Sequence, residues 1–334
     1  MKHFYLFLSL IAAVVLFASC DQMPGLLAAS SASNEVIVVM NDKAWEEESG
    51  RAVFGVLSSN AKGLPQAEPN FRIIKLTPEN FTRTFRTARN IVIPEISNIY
   101  SAPALNANID VYAVGQVILN IVAPDTASFV QFVTENREVI VDYIIEKELE
   151  RNARWLMHSG RSGPLTRAQE MFGINIFPPR GLPNVLIDSR DFYWASNNAN
   201  RSRQDLVIYQ FPYTSPDIFQ KDSLVAIRNR IVGDHIQGSF NSRMSTNTTT
   251  YPPHFRELEV DGIYRAELRG LWEMDADFMG GPFVMQAFVN ENTAQVIVVE
   301  VLVYAPETTK RNLIRNMEAS FYTISMPQLP DFDF

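Results

Sequence analysis

The chain has 334 residues, with 29 basic and 37 acidic side chains, a formal net charge of −8 and one cysteine. The negative charge and the lack of a dense Lys/Arg block argue against nucleic acid as a partner, because binding to phosphates needs a basic surface. Apolar residues make up 46% of the chain and include 22 phenylalanines, which excludes a chain that is disordered overall.

The N-terminus has the pattern of a bacterial lipoprotein signal. Lys2 is followed by an uncharged, mainly apolar run to Phe17, and two small residues then precede Cys20. The run is shorter than the roughly 20 residues that a helix needs to cross a bilayer, so residues 1–19 are interpreted as a cleaved signal peptide. We expect a lipid on Cys20, which would consume the only thiol. The alternative is an ordinary secretory signal with a chance cysteine.

The next segment, residues 20–34, is small and polar and predicts a flexible tether. The first half, residues 35–160, begins with a short β-branched run that is typical of a strand buried on both faces. Helices are predicted after Asn41 and after Pro78, where proline suits the first helical turn. Apolar periodicity predicts the remaining elements: strands at 35–40, 71–76, 90–96 and 110–122, and a long helix at 126–158.

The second half, residues 161–325, repeats this order of strands and helices. Its predicted strands are 173–177, 191–196, 205–211, 263–274, 281–289 and 295–304, and its predicted helices are 215–231 and 307–321. A polar stretch at 238–253 is the best candidate for a mobile loop. Residues 326–334 are predicted to be a C-terminal tail.

These elements predict an α+β fold of two related α/β-sandwich halves. Each half is expected to be a split β-α-β, ferredoxin-like unit, with a largely antiparallel sheet and helices on one face. Residues 117–126 and 299–308 support a duplication, since each has a long strand, Ala-Pro, an acidic residue and Thr before a helix. The alternative is convergence, because strand-Pro-helix junctions arise independently.

Two aromatic and acidic clusters form the candidate binding surface. Glycines next to a proline allow close approach of a chain or ligand, and an exposed Arg and Trp beside them can stack on a sugar or peptide. The predicted surface comprises Arg269, Trp272, Asp275, Asp277, Gly280, Gly281, Phe192 and Trp194. The alternative is a bulged hairpin, with Trp272 in the core and Arg269 paired with Glu267 or Asp277.

No motif for catalysis or for a cofactor stands out. The sequence lacks ligand-spaced His or Cys pairs, a phosphate-binding glycine loop and a Gly-x-Ser-x-Gly elbow, so we expect no metal, no cofactor and no assigned catalytic residue. Two pairs of carboxylates, Asp188 with Asp191 and Asp275 with Asp277, could divide the acid and base roles of a hydrolase. Carboxylates at such spacing are also common in solvated turns.

Six segments between about residue 34 and 320 carry a resemblance to a known family: Asn34–Met40, Gly63–Gln66, Phe85–Asn90, Arg269–Trp272, Met279–Phe283, and Val303–Pro306 with Lys310 and Arg311. The family that the chain resembles consists of Bacteroidetes lipoproteins and is catalogued as domain of unknown function 4837. The resemblance implies an envelope lipoprotein of a Gram-negative cell. The family brings no known activity, cofactor or catalytic residue.

We therefore expect a protein anchored to the outer membrane by its N-terminal lipid and facing the periplasm. The expected function is binding or assembly of an envelope protein or glycan. The alternative is a carboxylate-based hydrolase that acts on an envelope polymer.

Replacing the predicted lipidation site tests the anchor. Cys20→Ala should abolish incorporation of a labelled fatty acid and move the protein from the membrane fraction to the soluble fraction, because several acyl chains on one residue make attachment stable. Ser19→Ala is the control, since it keeps a small residue before the cysteine. Retention of the label in Cys20→Ala would contradict the prediction.

Overall fold

The computed structural model describes residues 25–158 and 165–327, so the predicted signal and Cys20 lie outside the described residues. Within these ranges the chain forms two sheets. The strands are β1 (Glu35–Val39), β2 (Arg72–Leu76), β3 (Asn90–Ile96), β4 (Ala104–Ile109), β5 (Val117–Ala123), β6 (Asn184–Ser189), β7 (Phe192–Ser196), β8 (Arg203–Pro212), β9 (Met244–Thr246), β10 (His254–Val260), β11 (Ile263–Met274), β12 (Gly280–Asn290) and β13 (Gln295–Tyr304).

Eight α-helices connect or cover these strands in the described ranges. They are α1 (Asp42–Glu46), α2 (Glu48–Leu57), α3 (Arg83–Arg86), α4 (Thr126–Glu135), α5 (Arg137–His158), α6 (Thr166–Phe172), α7 (Lys221–His235) and α8 (Arg311–Glu318). A 3-10 turn at Ala319–Thr323 extends α8. The α+β class and the arrangement in two halves are therefore confirmed.

The first sheet has the strand order β2-β1-β3-β5-β4. Its strands β2, β1, β3 and β5 pair in parallel, and only β4 pairs antiparallel, at the edge. The expected antiparallel pairing is thus wrong for this half. The physical reason is the helical connection: α1 and α2 lie between β1 and β2 in the chain. Such a crossover returns the chain to the same end of the sheet, so the two strands run parallel. Helices α2, α4 and α5 all pack on one face of this sheet, as expected.

The second sheet is antiparallel along its whole path, in the order β10-β11-β12-β13-β8-β7-β6. Helix α7 packs on one face, while α6 and α8 pack on the other. The expectation of helices on one face is therefore wrong here. Strands β12 and β13 are apolar on both faces, so helices are needed on each face to shield them from water. The two sheets differ in strand order and direction, which favours convergence of the Ala-Pro segments over duplication.

Several predicted boundaries need correction. The predicted strand 110–122 begins only at Val117, because Asp110 and Gly115 have positive φ and form a turn. Residues 173–177 contain one isolated bridge instead of a strand, and the long helix is divided into α4 and α5 at Asn136. The strands missed by the sequence analysis are β4, β6, β9 and β10.

The predicted flexible tether is wrong for residues 28–34. Ala28 and Ser30 form bridges to Val114 and Ala88 in the first half, and Asn34 is buried. The chain is therefore attached to the first half from residue 28 onward.

The two halves share packing. Ala61 and Leu64, which precede β2, lie in the apolar core between the second sheet and α8. On the other side of α8, Leu149 and Leu156 of α5 pack against Ala319 of the 3-10 turn.

A fully buried ion pair joins α7 to the centre of the second sheet. The Arg228 Nε and Nη2 atoms donate to the Glu300 carboxylate at 3.0 and 2.6 Å, and Nη1 donates to Thr246 Oγ1 at 2.8 Å. The guanidinium lies 3.9 Å from the ring centroid of Phe283. Burial raises the pKa of Glu300, although Arg228 acts to lower it. Removing either partner would leave a buried charge without compensation.

Truncating one member of this pair should be costly. We expect Arg228→Leu to lower the free energy of unfolding by about 3–5 kcal/mol, because Glu300 remains buried without its cation. The double variant Arg228→Leu/Glu300→Leu should recover most of that loss. Urea unfolding followed by circular dichroism measures both, and a double variant less stable than the single one would contradict this reasoning.

Candidate functional site

Two adjacent loops at one end of the second sheet form the candidate binding face. One follows α7 (residues 236–243) and the other is the turn between β11 and β12 (residues 275–279); together we call them the loop pair. The Arg243 N–H donates to Asp275 Oδ1 at 2.8 Å, and the Asp275 N–H donates to the Arg243 carbonyl at 3.1 Å. These bonds hold the two loops against each other.

Each loop presents a phenylalanine to solvent. Phe240 is 90% exposed, and Phe278 is fully exposed. Phe240 also has φ 58° and ψ 30°, a left-handed conformation that bulky residues rarely adopt. A patch of exposed large apolar side chains is informative, whereas a single one is not. The strained conformation of Phe240 directs attention to these loops.

A cavity of about 150 Å³ lies beneath the loop pair. Trp194, Trp272, Asp277, Met279 and Ser239 are among the residues that line it.

One wall of this cavity is fixed by hydrogen bonds. The Trp194 Nε1 donates to Asp205 Oδ1 at 2.9 Å, and the Arg203 Nε donates to both oxygens of the same carboxylate at 3.0 and 3.1 Å. The Arg203 guanidinium also lies 5.2 Å from the Trp194 ring centroid. The half-buried Trp194 is thereby held in one orientation.

The structure brings some of the predicted surface together at this cavity. Trp194, Trp272 and Asp277 line it, and Asp275 connects the two loops. The expected exposure is wrong for Trp272, which is 4% exposed, and for Phe192, which is 1% exposed. Both face α7, and the ring centroid of Phe192 lies 4.1 Å from that of His235 at the end of this helix.

The glycine pair has a structural role. A Cβ on Gly281 would lie 2.0 Å from the Val303 carbonyl oxygen, and one on Gly280 would lie 2.9 Å from the Trp272 carbonyl oxygen. These residues permit close approach of neighbouring strands, and neither has a positive φ.

Sequence reasoning missed Phe240 and Phe278. The sequence did contain a signal for each. Phe240 is a single phenylalanine within a run of Ser, Asn and Gly, and Phe278 lies between Asp-Ala-Asp and Met-Gly-Gly.

Arg269 lies away from the loop pair, on the opposite face of the sheet. Its Nη2 donates to Glu267 Oε1 at 3.3 Å and to the Glu318 carboxylate, as in the alternative interpretation of this hairpin. Arg256 Nε and Gln286 Nε2 also donate to Glu267, at 2.8 and 3.0 Å. Burial alone would raise the pKa of Glu267, but Arg269 and Arg256 lower it to about 2.

The carboxylates proposed for a hydrolase do not face one another across the cavity. Asp188 and Asp191 are exposed on the β6–β7 hairpin, where Asp188 accepts from Arg167 Nη2 at 2.6 Å and Asp191 from Gln210 Nε2 at 2.9 Å. Asp275 is exposed and accepts from a backbone N–H. Of these four residues, only Asp277 lines the cavity.

Within residues 25–158 and 165–327, no group of three or more His, Cys, Asp or Glu side chains is placed to hold a metal ion. None of the helices there is both long and apolar enough to cross a bilayer.

The family resemblance is confirmed over residues 163–323, which match the family described as Domain of unknown function (DUF4837). Residues 29–156 match a second family, Domain of unknown function (DUF8532). A search of curated proteins finds no match. Among solved structures, the Ran-binding protein Mog1p of Saccharomyces cerevisiae is similar at 7% identity with a TM-score of 0.31, over 46% of this chain and 90% of that one. So low a score carries no argument about function.

The lowered pKa of Glu267 predicts a specific dependence of stability on pH. Its folded pKa of about 2 lies below the unfolded value of 4.5, so its contribution is present above about pH 4.5 and is lost as the pH falls toward 2. We expect Glu267→Gln to be less stable at pH 7 by about 3 kcal/mol and to lack this part of the acid dependence.

The measurement is urea unfolding at intervals from pH 7 to pH 2. Glu259→Gln is the matched control, because Glu259 is exposed on the adjacent strand β10. The interpretation fails if Glu267→Gln loses stability over this range as steeply as the unmodified protein does.

Proposed function

We propose that this protein is a lipid-anchored cell-envelope protein that binds another envelope protein or a glycan through the loop pair. The observation that carries the proposal is the exposure of Phe240 and Phe278 on two loops that are hydrogen-bonded to each other. Burying a phenylalanine side chain gains about 1.5–3 kcal/mol. Two such residues on adjoining loops are suited to be the anchors of an interface.

The cavity beneath the loop pair supports the same role. A flat hydrophobic patch would attract many partners, whereas a cavity with tryptophan walls and a carboxylate selects for shape and for a hydrogen-bond donor. Trp194 is half-buried and held by Asp205, so little entropy is lost when a ligand packs against it. Asp277 offers an acceptor at the rim.

The proposed location follows from Cys20 and from the family resemblance: the outer membrane, with the protein facing the periplasm. The chain is attached to the first half from Ala28. Eight residues separate Cys20 from Ala28, and a fully extended chain of that length spans about 28 Å at most. The globular part would therefore stay close to the membrane surface, where envelope proteins and glycans are concentrated.

Photo-crosslinking in intact cells tests the binding role. A photoreactive amino acid placed at Phe240 or Phe278 should give discrete adducts of defined mass, because both side chains would lie inside the interface. The control position is Ile99, a loop residue that is 74% exposed in the first half. Phe240→Ser/Phe278→Ser should remove the adducts formed by a probe at Asp277.

The same variant should unfold at the wild-type temperature, since exposed side chains contribute little to stability. Equal adducts at Ile99 and at the loop pair would contradict the proposal. Adducts with lipid alone would also contradict it and would identify the loop pair as a membrane-contacting surface.

A further inference from the structure

A second cavity, of about 130 Å³, lies in the cleft between the two halves. Its walls come from the segment before β2, from α5, from strands β10 and β11 and from α8. The charged side chains that line this cavity are those of Lys62, Asp142, Arg256, Glu267, Arg269, Arg311 and Arg315, and Asn70 lines it as well. The cleft is on the opposite face of the second sheet from the loop pair.

Two of these arginines are four residues apart on α8. Residues at this spacing lie on the same side of a helix, and like charges there repel each other. Arg311 is also the first residue of α8, at the positive end of the helix dipole, where a cation is disfavoured. This arrangement costs free energy, of which the Glu68 carboxylate at the same helix end offsets a part.

Within the described part of the chain, the Arg315 guanidinium donates its hydrogen bonds to neutral groups. Its Nη1 donates to Asn34 Oδ1 at 2.7 Å and to the Asn70 carbonyl at 2.8 Å, and its Nη2 donates to Asn70 Oδ1 at 2.7 Å. The guanidinium lies 5.6 Å from the ring centroid of Phe71. It is a buried cation held by amides and an aromatic ring.

The Arg311 side chain also donates to neutral acceptors. Its side chain donates to the Pro69 carbonyl and, through Nε, to Asn312 Oδ1 at 3.1 Å. The neighbouring carboxylate of Glu68 accepts from the backbone N–H groups of Lys310 and Arg311, at 2.7 and 2.9 Å. Among the described residues, no carboxylate forms an ion pair with the side chain of Arg311 or Arg315.

Burial disfavours the charged form of both arginines. Burial lowers the pKa of Arg315 to about 9; Glu318 opposes this effect, whereas Arg269 and Arg311 add to it. Burial likewise lowers the pKa of Arg311, against the attraction of Glu68. An anion in the cleft would reverse both effects.

We propose that the cleft binds a small ligand through one carboxylate or phosphate group, which contacts Arg311 and Arg315. The planar guanidinium presents several N–H donors in a fork that matches both of these groups. Asp142 and Glu267 line the same cavity, and Arg256 and Arg269 are already paired with Glu267. These two carboxylates disfavour a second negative charge, so the rest of the ligand is neutral or basic. This site is separate from the loop pair and does not depend on the function proposed for it.

Calorimetric titration of the full chain with small anions tests the proposal. The probes are inorganic phosphate and N-acetylalanine, titrated separately at fixed ionic strength with sodium chloride as the reference, so that the two sources of the anionic group are distinguished. We expect saturable binding of at least one probe. Arg311→Gln should weaken that binding at least tenfold, because one of the two guanidinium groups is lost.

Arg230→Gln is the matched control, since it removes an exposed arginine from α7 on the other face of the sheet and should leave the affinity unchanged. Arg315→Gln is informative only if it folds, because it also removes buried hydrogen bonds between the halves. Arg311 is partly exposed, so Arg311→Gln is expected to fold. The proposal is overturned if neither probe binds more tightly than chloride, or if Arg311→Gln binds as tightly as the unmodified protein.

Discussion

The arrangement of the two halves depends on the side chain of Arg315. It extends from α8, which packs on the second sheet, to Asn34 directly before β1 and to Asn70 shortly before β2. Because β1 and β2 are neighbours in the first sheet, one guanidinium fixes the starts of two strands against the other half. Burying this cation without a carboxylate is costly, and the hydrogen bonds to amides offset only part of that cost.

Strand β11 separates charged from apolar side chains by alternation. Along β11, Glu267 and Arg269 face α8 and the cleft, whereas Leu268 and Trp272 face α7. On β13, Glu300 points to the α7 side, and its charge is compensated by Arg228. Buried charges of this kind contribute little net stability, but they disfavour alternative registers, because a shift by one residue would bury them without partners.

Local patterns in the sequence were sufficient for much of the fold. Some elements could be located to within a few residues because their pattern depends on burial alone. These are the apolar runs of β3, β12 and β13 and the periodic helix α5. The direction of the strands could not be predicted from the sequence, because an apolar run such as β1 has the same pattern in parallel and antiparallel sheets. Strands β4 and β10 are at the edges of their sheets and carry polar or half-exposed residues, so the sequence gives them no strong apolar signal.

The candidate sites were harder to predict from the sequence than the fold. Phe192 and Trp272 were assigned to a surface because aromatic residues beside acids suggest binding, but the helix that covers them is set by tertiary packing. Phe240 and Phe278 were overlooked because exposure of a single residue in a loop has no periodic pattern. The cleft could not be predicted from the sequence for a further reason. Asn34, Asn70 and Arg315 are up to 281 residues apart in the chain, and no local spacing connects them.

Strand β11 connects the two proposed sites physically. Arg269 lies in the cleft between the halves, and Trp272, three residues later, lies under the loop pair. The spacing of this strand from its neighbours has little freedom, because Gly281 opposite Trp272 has no room for a Cβ against the backbone of β13. A site built on a packed strand keeps its geometry better than one built on a loop. The sheet therefore acts as a rigid support that holds both sites at a fixed separation, and the exposed phenylalanines of the loop pair are the parts left free to adapt to a partner.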